Sequence, residues 1–310
     1  MYLIELFFNI CIYQKMSEEV KYGEIKCQGI LKSGKNAGNN CKNGAYYKCD
    51  NLYLCGIHSK KYTEPITLQK FSTTEKTLIA NTKYSDMLES AKIVAEKNKI
   101  NNITGKVTLV RMSGRFSKVE PMEGWLDIYP NFKSTYQGIG LILPGLSPMS
   151  LGPIKHGQPG IPESKTLENF HQFSKYYSKL ETMEEFKKSQ IAGFNDLIPH
   201  RHKFKGQIPD YFVWIDKDGE EYYLGYLESR QFYCNFYEKL VEESKDFLKL
   251  KNLLKDGYNL RICGPDAYNL YDDILESYKD ISVPRGHEFC LYTMLTCKEY
   301  PWIEMKTFDF

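Results

Sequence analysis

Cys27, Cys41, Cys49, Cys55 and His58 are spaced C-x13-C-x7-C-x5-C-x2-H. Thiolates and an imidazole at that density suit a tetrahedral metal site, and zinc accepts sulfur and nitrogen ligands in that geometry. Five candidates compete for four places. Cys55-Gly56-Ile57-His58 is the firmest pair, because Gly56 permits the tight turn of a C-x2-H knuckle. The expected ligands are Cys27, Cys41, Cys55 and His58, with Cys49 left over. Four protein ligands leave no position for water, so zinc here would be structural. Lys32, Lys35, Lys42, Lys48, Lys60 and Lys61 surround the cluster, with Tyr46, Tyr47 and Tyr53 among them. They read either as a nucleic-acid contact surface or as a solvated lysine-rich face.

A second constellation lies in Leu167–Tyr177, LENFHQFSKYY. If the segment is helical, Glu168, Gln172 and Lys175 stand at i, i+4 and i+7 and share one face, with His171 at its border. Leu167, Phe170, Phe173 and Tyr177 would form the opposite, core-facing side. Such spacing also describes an ordinary solvent-facing Glu–Lys surface. The Pro/Gly-rich stretch of residues 144–163 feeds into this helix, and loops at element ends are where binding sites are built.

Other candidates are scattered. Arg201, in Pro199-His200-Arg201-His202-Lys203, could bind a pyrophosphate through its planar fork. Glu228 and Arg230 form either a ligand-facing or a structural pair, and Asp266 follows a strand where it could meet a ribose hydroxyl or cap a turn. Glu288 opens the final helix, where the helix dipole favours a carboxylate or a phosphate.

The elements that must hold these residues in place follow from periodicity and punctuation. A helix is expected from about 73 to 99 with Leu78, Ile79, Met87, Leu88, Ile93 and Val94 buried, then strands at 106–112 and 137–143. Helices at 164–178 and 181–190 precede strands at 211–215 and 221–227, which flank the hairpin signal Asp216-Lys217-Asp218-Gly219. Helices near 229–240 and 242–255, a strand at 258–263 and a helix at 286–297 complete the pattern. The expected organisation is an extension (1–16), a zinc-binding module (17–62), a helical linker (63–105) and an α+β domain (106–310), compact and mainly helical with a small sheet.

With 310 residues, 26% of them charged, and a formal net charge of +2, the chain is not a protein that coats nucleic acid through bulk charge. There is no Walker loop, no G-x-G-x-x-G before a helix, no G-x-S-x-G elbow and no H-E-x-x-H, which argues against NTPases, Rossmann dehydrogenases, serine hydrolases and zincins. The apolar Met1–Tyr13 carries Glu5, lacks a basic flank and is too short to span a bilayer. A soluble, cytoplasmic protein without membrane partners is therefore expected. Cys234, Cys263, Cys290 and Cys297 sit in apolar surroundings and read as reduced core thiols.

Glu168-x-x-x-Gln172-x-x-Lys175, with Phe170 between, resembles the E-H-x-[FY]-Q-A-x-K helix of the NADAR (NAD and ADP-ribose) family of N-glycosidase domains. Leu146-Ser147-Pro148-Met149 stands where that family has a Leu-Ser-Asn-Phe-type segment, and Phe232–Leu240, Phe247–Leu254, Asp266-Ala267-Tyr268 and Gly286-His287-Glu288-Phe289 follow in the family's order. The likeness covers residues 140–297. Asn169 replaces the family's His, Pro148-Met149 its Asn-Phe and Glu288 its Asn, and the tryptophan-glycine after the Asp is missing. The resemblance implies an N-glycosidase or ADP-ribosyl hydrolase that acts on a ribose–base bond, such as ADP-ribosylated guanine in nucleic acid or a related nucleotide. It implies ligand contacts from Ser147, Met149, Gln172, Asp266, Tyr268 and Glu288, to which the pattern above adds His171, Arg201, Glu228 and Arg230. Glu168 would stabilise an oxocarbenium-like state or move protons, and Lys175 could attack as a free amine. The alternative is a non-catalytic, zinc-containing protein that binds nucleic acid or a nucleotide.

Overall fold

The computed structural model describes residues 24–34, 36–68, 73–113, 119–131 and 140–304, the side chains of 73–84 and 304 excepted. The 1–16 extension, residues 137–139 of the expected strand, and the side chains of Leu78 and Ile79 lie outside the described residues. The chain divides into two units, Met1–Ala80 and Asn81–Phe310.

In the first unit, β1 (Tyr47–Cys49), β2 (Leu52–Leu54) and β3 (Ile66–Thr67) form an antiparallel sheet in the order β2-β1-β3. Asp50 takes a left-handed φ of 53° in the β1–β2 turn, a conformation that Asp tolerates. The interior is Leu54 with Cys27, Cys41, Cys49 and Cys55, so thiols stand where a larger domain would place aliphatic side chains. So small an apolar core does not hold a chain of this length by itself.

Helix α1 (Thr73–Ile100) passes from the first unit into the second. Its buried face is Met87, Ala91 and Ala95, a four-residue repeat, with Leu88 packed beside it. Ile93, expected to be buried, is exposed because it lies off the face formed by Met87, Ala91 and Ala95.

The second unit holds β4 (Val107–Arg111), β5 (Trp125–Tyr129), β6 (Leu141–Ile142), β7 (Ile154–Lys155), β8 (Glu163–Ser164), α2 (Leu167–Phe173), β9 (Lys175–Tyr176) and α3 (Met183–Asn195). Next come β10 (Tyr211–Ile215), β11 (Glu221–Leu224), α4 (Tyr226–Val241), α5 (Lys245–Lys255), β12 (Asn259–Gly264), α6 (Ile274–Lys279), α7 (His287–Thr296) and α8 (Pro301–Glu304). The content is α+β. A parallel sheet runs β4-β12-β5-β6, an antiparallel one β11-β10-β9, and β7 pairs with β8. Two expected elements end early. The helix expected at 164–178 stops at Phe173, because Lys175 and Tyr176 pair with β10 instead; the strand expected at 221–227 stops at Leu224, where Gly225 starts α4.

Strand β12 is buried on both faces. Leu260 and Ile262 join the main core with Ile128, Phe289 and Leu291, while Cys263 packs on the other face with Met112 and Tyr129. Arg261 on that second face reaches across to its register partner Asp127 on β5, with Nε to Oδ1 at 2.5 Å and Nη2 to Oδ2 at 2.8 Å. Burial drives the Asp127 carboxyl above its ordinary range, opposed by the Arg261 guanidinium. Among the described residues, no helix is long and apolar enough to cross a membrane.

Removing one partner of such a pair leaves the other charge buried and alone. Asp127→Ala is expected to lower unfolding stability by about 3–5 kcal/mol in a denaturant titration. An unchanged midpoint would show that Arg261 finds another partner.

Candidate functional site

Cys27, Cys41, Cys55 and His58 come together in the first unit, all buried, with their four ligand atoms within 4.8 Å of one another. The Sγ atoms of Cys27 and Cys55 each lie 3.4 Å from His58 Nδ1, and those of Cys41 and Cys55 are 3.9 Å apart. A tetrahedral ion with S and N ligands requires edges of about 3.8 and about 3.5 Å, so the four atoms fit one. Burial would raise the Cys55 thiol, but the backbone amides of His58 and Ile57, with the His58 ring and Cys27, bring it down to about 6. Gly29 passes so close to the His58 ring that a Cβ there would lie 2.5 Å from it. Cys49 is buried on β1 outside the set. Cys55→Ser is expected to lose a bound metal ion that Cys49→Ser retains, as measured by elemental analysis of the purified protein. A chelator should melt the first unit of the Cys49 variant.

In the second unit, a cavity of about 750 Å³ opens at the carboxyl ends of the parallel strands. Asn131 follows β5, Ser147 to Met149 follow β6, and Pro265 and Asp266 follow β12. Ligand sites of open parallel sheets sit at this end, where strand-to-loop transitions free side chains from the ladder. Helix α2 forms one wall. Thr166 caps it by accepting from Asn169 N at 3.0 Å, and the 147–151 loop is tied to its first turn through Glu168 N to Pro148 O and Leu167 N to Leu151 O.

On this wall, Gln172 Nε2 donates to Glu168 Oε1 at 3.0 Å, and Lys175 Nζ donates to Gln172 Oε1 at 3.3 Å. The three side chains meet in the cavity although Lys175 belongs to β9, not to the helix. Burial raises the Glu168 carboxyl above its ordinary value; Gln172, Lys175 and Arg201 oppose the shift. Burial likewise lowers the Lys175 amine to about 8, with Glu168 opposing. His171 lines the same wall, 5.1 Å from the Tyr233 ring; its Nδ1 is buried without a hydrogen-bond partner, and burial keeps the ring neutral.

Asp266 and His287 line the same cavity. Burial pushes Asp266 up to about 6, with Glu288 beside it adding to the shift. Arg201 is exposed at the rim, and its charge acts on Glu168, Asp266 and Glu288. Its loop is fixed by Asn169, which donates to the carbonyls of Asp196 and Ile198 and accepts from His200 N at 2.8 Å. Asn169 thus anchors the segment carrying Arg201.

Of the expected ligand residues, Ser147, Met149, Glu168, His171, Gln172, Lys175, Arg201, Arg230 and Asp266 line this cavity. Glu228, Tyr268 and Glu288 do not. Glu228 folds back over Gly225 at the start of α4, and Tyr268 holds Arg111, whose Cζ lies 3.9 Å from the ring centroid and whose Nη2 donates to the hydroxyl. Glu288 is fully buried behind the cavity. Arg230 borders the space, but its guanidinium serves the carbonyls of Tyr278, Asp280 and Val283, a structural role. Arg285 does the same for Ser277, Tyr268 and Asn269. The sequence reading missed Asn131, Tyr226, Ser229 and Tyr233 as lining residues. The last three stand at i, i+3 and i+7 of α4, a signal hidden by assigning 221–227 to a strand.

Because folding raises the Asp266 pKa, the protonated form is favoured in the native state. The contribution is fully present below the unfolded value of about 3.9 and is lost as pH rises through about 6. Asp266→Asn is therefore expected to raise stability by about 2 kcal/mol at pH 8 and to leave it unchanged near pH 3.5, as read from melting curves at the two pH values. No protein-family model, curated protein or solved structure matches this chain.

Proposed function

We propose that the second unit is an N-glycosidase that cleaves a ribose–base bond in an ADP-ribose-type substrate, and that the ion of the first unit is a structural zinc. The reading rests on the Glu168–Gln172–Lys175 chain on the wall of a nucleotide-sized cavity that Asp266 and Arg201 also line. A carboxylate, a buried amine and a carbonyl-directed amide meet where a sugar would sit, and an exposed guanidinium stands where a pyrophosphate would leave the cavity.

An amine lowered to about 8 is about one-tenth free base at pH 7, enough for nucleophilic work. Lys175 Nζ adds to the anomeric carbon of the ring-opened substrate. The carbon–nitrogen bond to the base breaks, and the base departs with the proton that Nζ gives up. Water then adds to the lysyl imine, releasing the sugar as its aldehyde and restoring the amine. Glu168 receives and returns the proton at Oε, and Gln172 keeps both groups in line. The soft donor set of three thiols and one imidazole favours zinc in the first unit, where a closed tetrahedral site does no chemistry.

Titration calorimetry with ADP-ribose is expected to give micromolar binding that falls at least about tenfold in Glu168→Gln or Lys175→Ala. Turnover of an ADP-ribosyl-guanine substrate should rise from pH 6 to 8 as Lys175 loses its proton, and borohydride should trap a sugar adduct on that lysine. Full turnover by Lys175→Ala would refute the amine route; absence of binding by the wild-type protein would refute the ligand.

A further inference from the structure

Behind the cavity wall, Glu288 opens α7 with no exposed surface, and neither of its oxygens has a well-formed hydrogen bond. Only the backbone amides of Glu288 and Asp266 and the charge of Arg201 favour its ionised form, and burying a carboxylate with so little support is costly. Its neighbours identify its state. His287 Nε2 lies 2.8 Å from the carbonyl oxygen of Pro130, which can only accept, so this nitrogen carries the ring's proton. Burial holds the ring at about 4, so it is neutral and Nδ1 is a bare lone pair. Nδ1 lies 3.3 Å from Glu288 Oε2. Two acceptors do not attract each other; the contact is favourable when the carboxyl bears a proton and gives it toward Nδ1.

Asp266 lies on the cavity side of the same group. A Cβ placed on Gly286 would be 3.3 Å from both Asp266 Oδ2 and Glu288 Oε2, so the two carboxyls flank one glycine. We infer that Asp266 and Glu288 share one proton, which Glu288 keeps behind the wall, so that Asp266 alone presents a charged acceptor to vicinal sugar hydroxyls in the cavity. Glu288 is then a positioning residue: it touches no ligand and sets the charge of the residue that does. This deepens the proposed function, since it rests on a sugar occupying the cavity. Glu288 is pushed up to about 7 by burial, against the backbone amides of Glu288 and Asp266 and the charge of Arg201, while Asp266 is held at about 6. The other groups facing the pair are Glu168 from α2, Arg111 from β4, His287 and Cys290 from α7, and Tyr233 and Tyr237 from α4, the last two with their hydroxyls kept protonated by burial.

The test combines carbon-13 NMR titration of the two carboxyls in the ligand-free protein with ADP-ribose affinity from pH 5 to 8.5. Two steps are expected, with Glu288 ionising last. Affinity should rise as Asp266 ionises and fall about tenfold above pH 6.5 as a second charge appears beside it. Lys175 also loses charge in that range, so Glu288→Gln provides the comparison: its amide still donates toward Nδ1 but cannot ionise. This variant should bind as well as the wild type at pH 6.5, lose less than about threefold by pH 8.5, and leave the acid limb in place, because Glu288 carries no charge in the range where Asp266 ionises. Ionisation of Glu288 below pH 5, or an acid limb that moves down by about one pH unit in Glu288→Gln, would overturn the inference. Lack of ADP-ribose binding at every pH would instead refute the ligand, and the carboxyl titration would still decide the shared proton.

Discussion

The carboxyl end of β12 has to pass the start of α7 without a side chain in between. A Cβ on Gly264 would overlap the Glu288 carboxyl, so only glycine lets the strand deliver Pro265 and Asp266 to the cavity at that height. The strand is pinned in register by the Arg261–Asp127 fork one turn of pleat earlier, and by Leu260 and Ile262 on the face toward the main core. A slip by one residue would exchange these faces, placing Arg261 in the apolar core and Leu260 against Asp127. The position of the acceptor in the cavity is therefore decided by packing several residues away from it.

Charge is distributed around the cavity by the partners each group is given. Arg230 and Arg285 are buried, yet backbone carbonyls of the 268–283 region accept from both terminal nitrogens of Arg230 and from Nε and Nη1 of Arg285. Lys203 and Glu181 satisfy each other at 2.7 Å with both side chains almost fully buried. Glu168, Lys175 and Asp266 are treated differently: burial outweighs their partners and shifts each toward its neutral form. Groups that are expensive to charge and left incompletely paired mark a site that recruits a ligand, because the ligand supplies what the fold withholds. Hydrophobic packing from Phe170, Phe212 and Phe232 around the same wall offsets that deficit.

Local signals carried much of this arrangement. The C-x2-H knuckle, the β10–β11 hairpin with Gly219 at φ 84°, and the strand before Asp266 were all legible because each depends on a few adjacent residues. The choice of Cys41 over Cys49 is consistent with the ligand set the structure assembles. What could not be read was tertiary. Phe173 ends α2 where Lys175 begins to pair with β10, and no local pattern foretells a two-residue strand joining a sheet whose other strands lie some 35 residues on. Arg230 and Glu288 stood in suggestive motifs, but their roles depend on which backbone carbonyls and which imidazole nitrogen face them.

The residue types at two positions gain meaning from these contacts. Asn169 spends its amide on three backbone groups of the 196–200 loop. An imidazole has one donor when neutral and could not supply both donors and the acceptor at once. Glu288 is fully buried and by residue type alone would be a buried charge. A protonated carboxyl, however, offers one donor and one carbonyl acceptor in nearly the shape of an amide, so on the shared-proton reading Glu288 bonds as an amide would at neutral pH. The difference is that a carboxyl can release its proton and an amide cannot. On that reading, this position makes an otherwise fixed support for Asp266 dependent on pH.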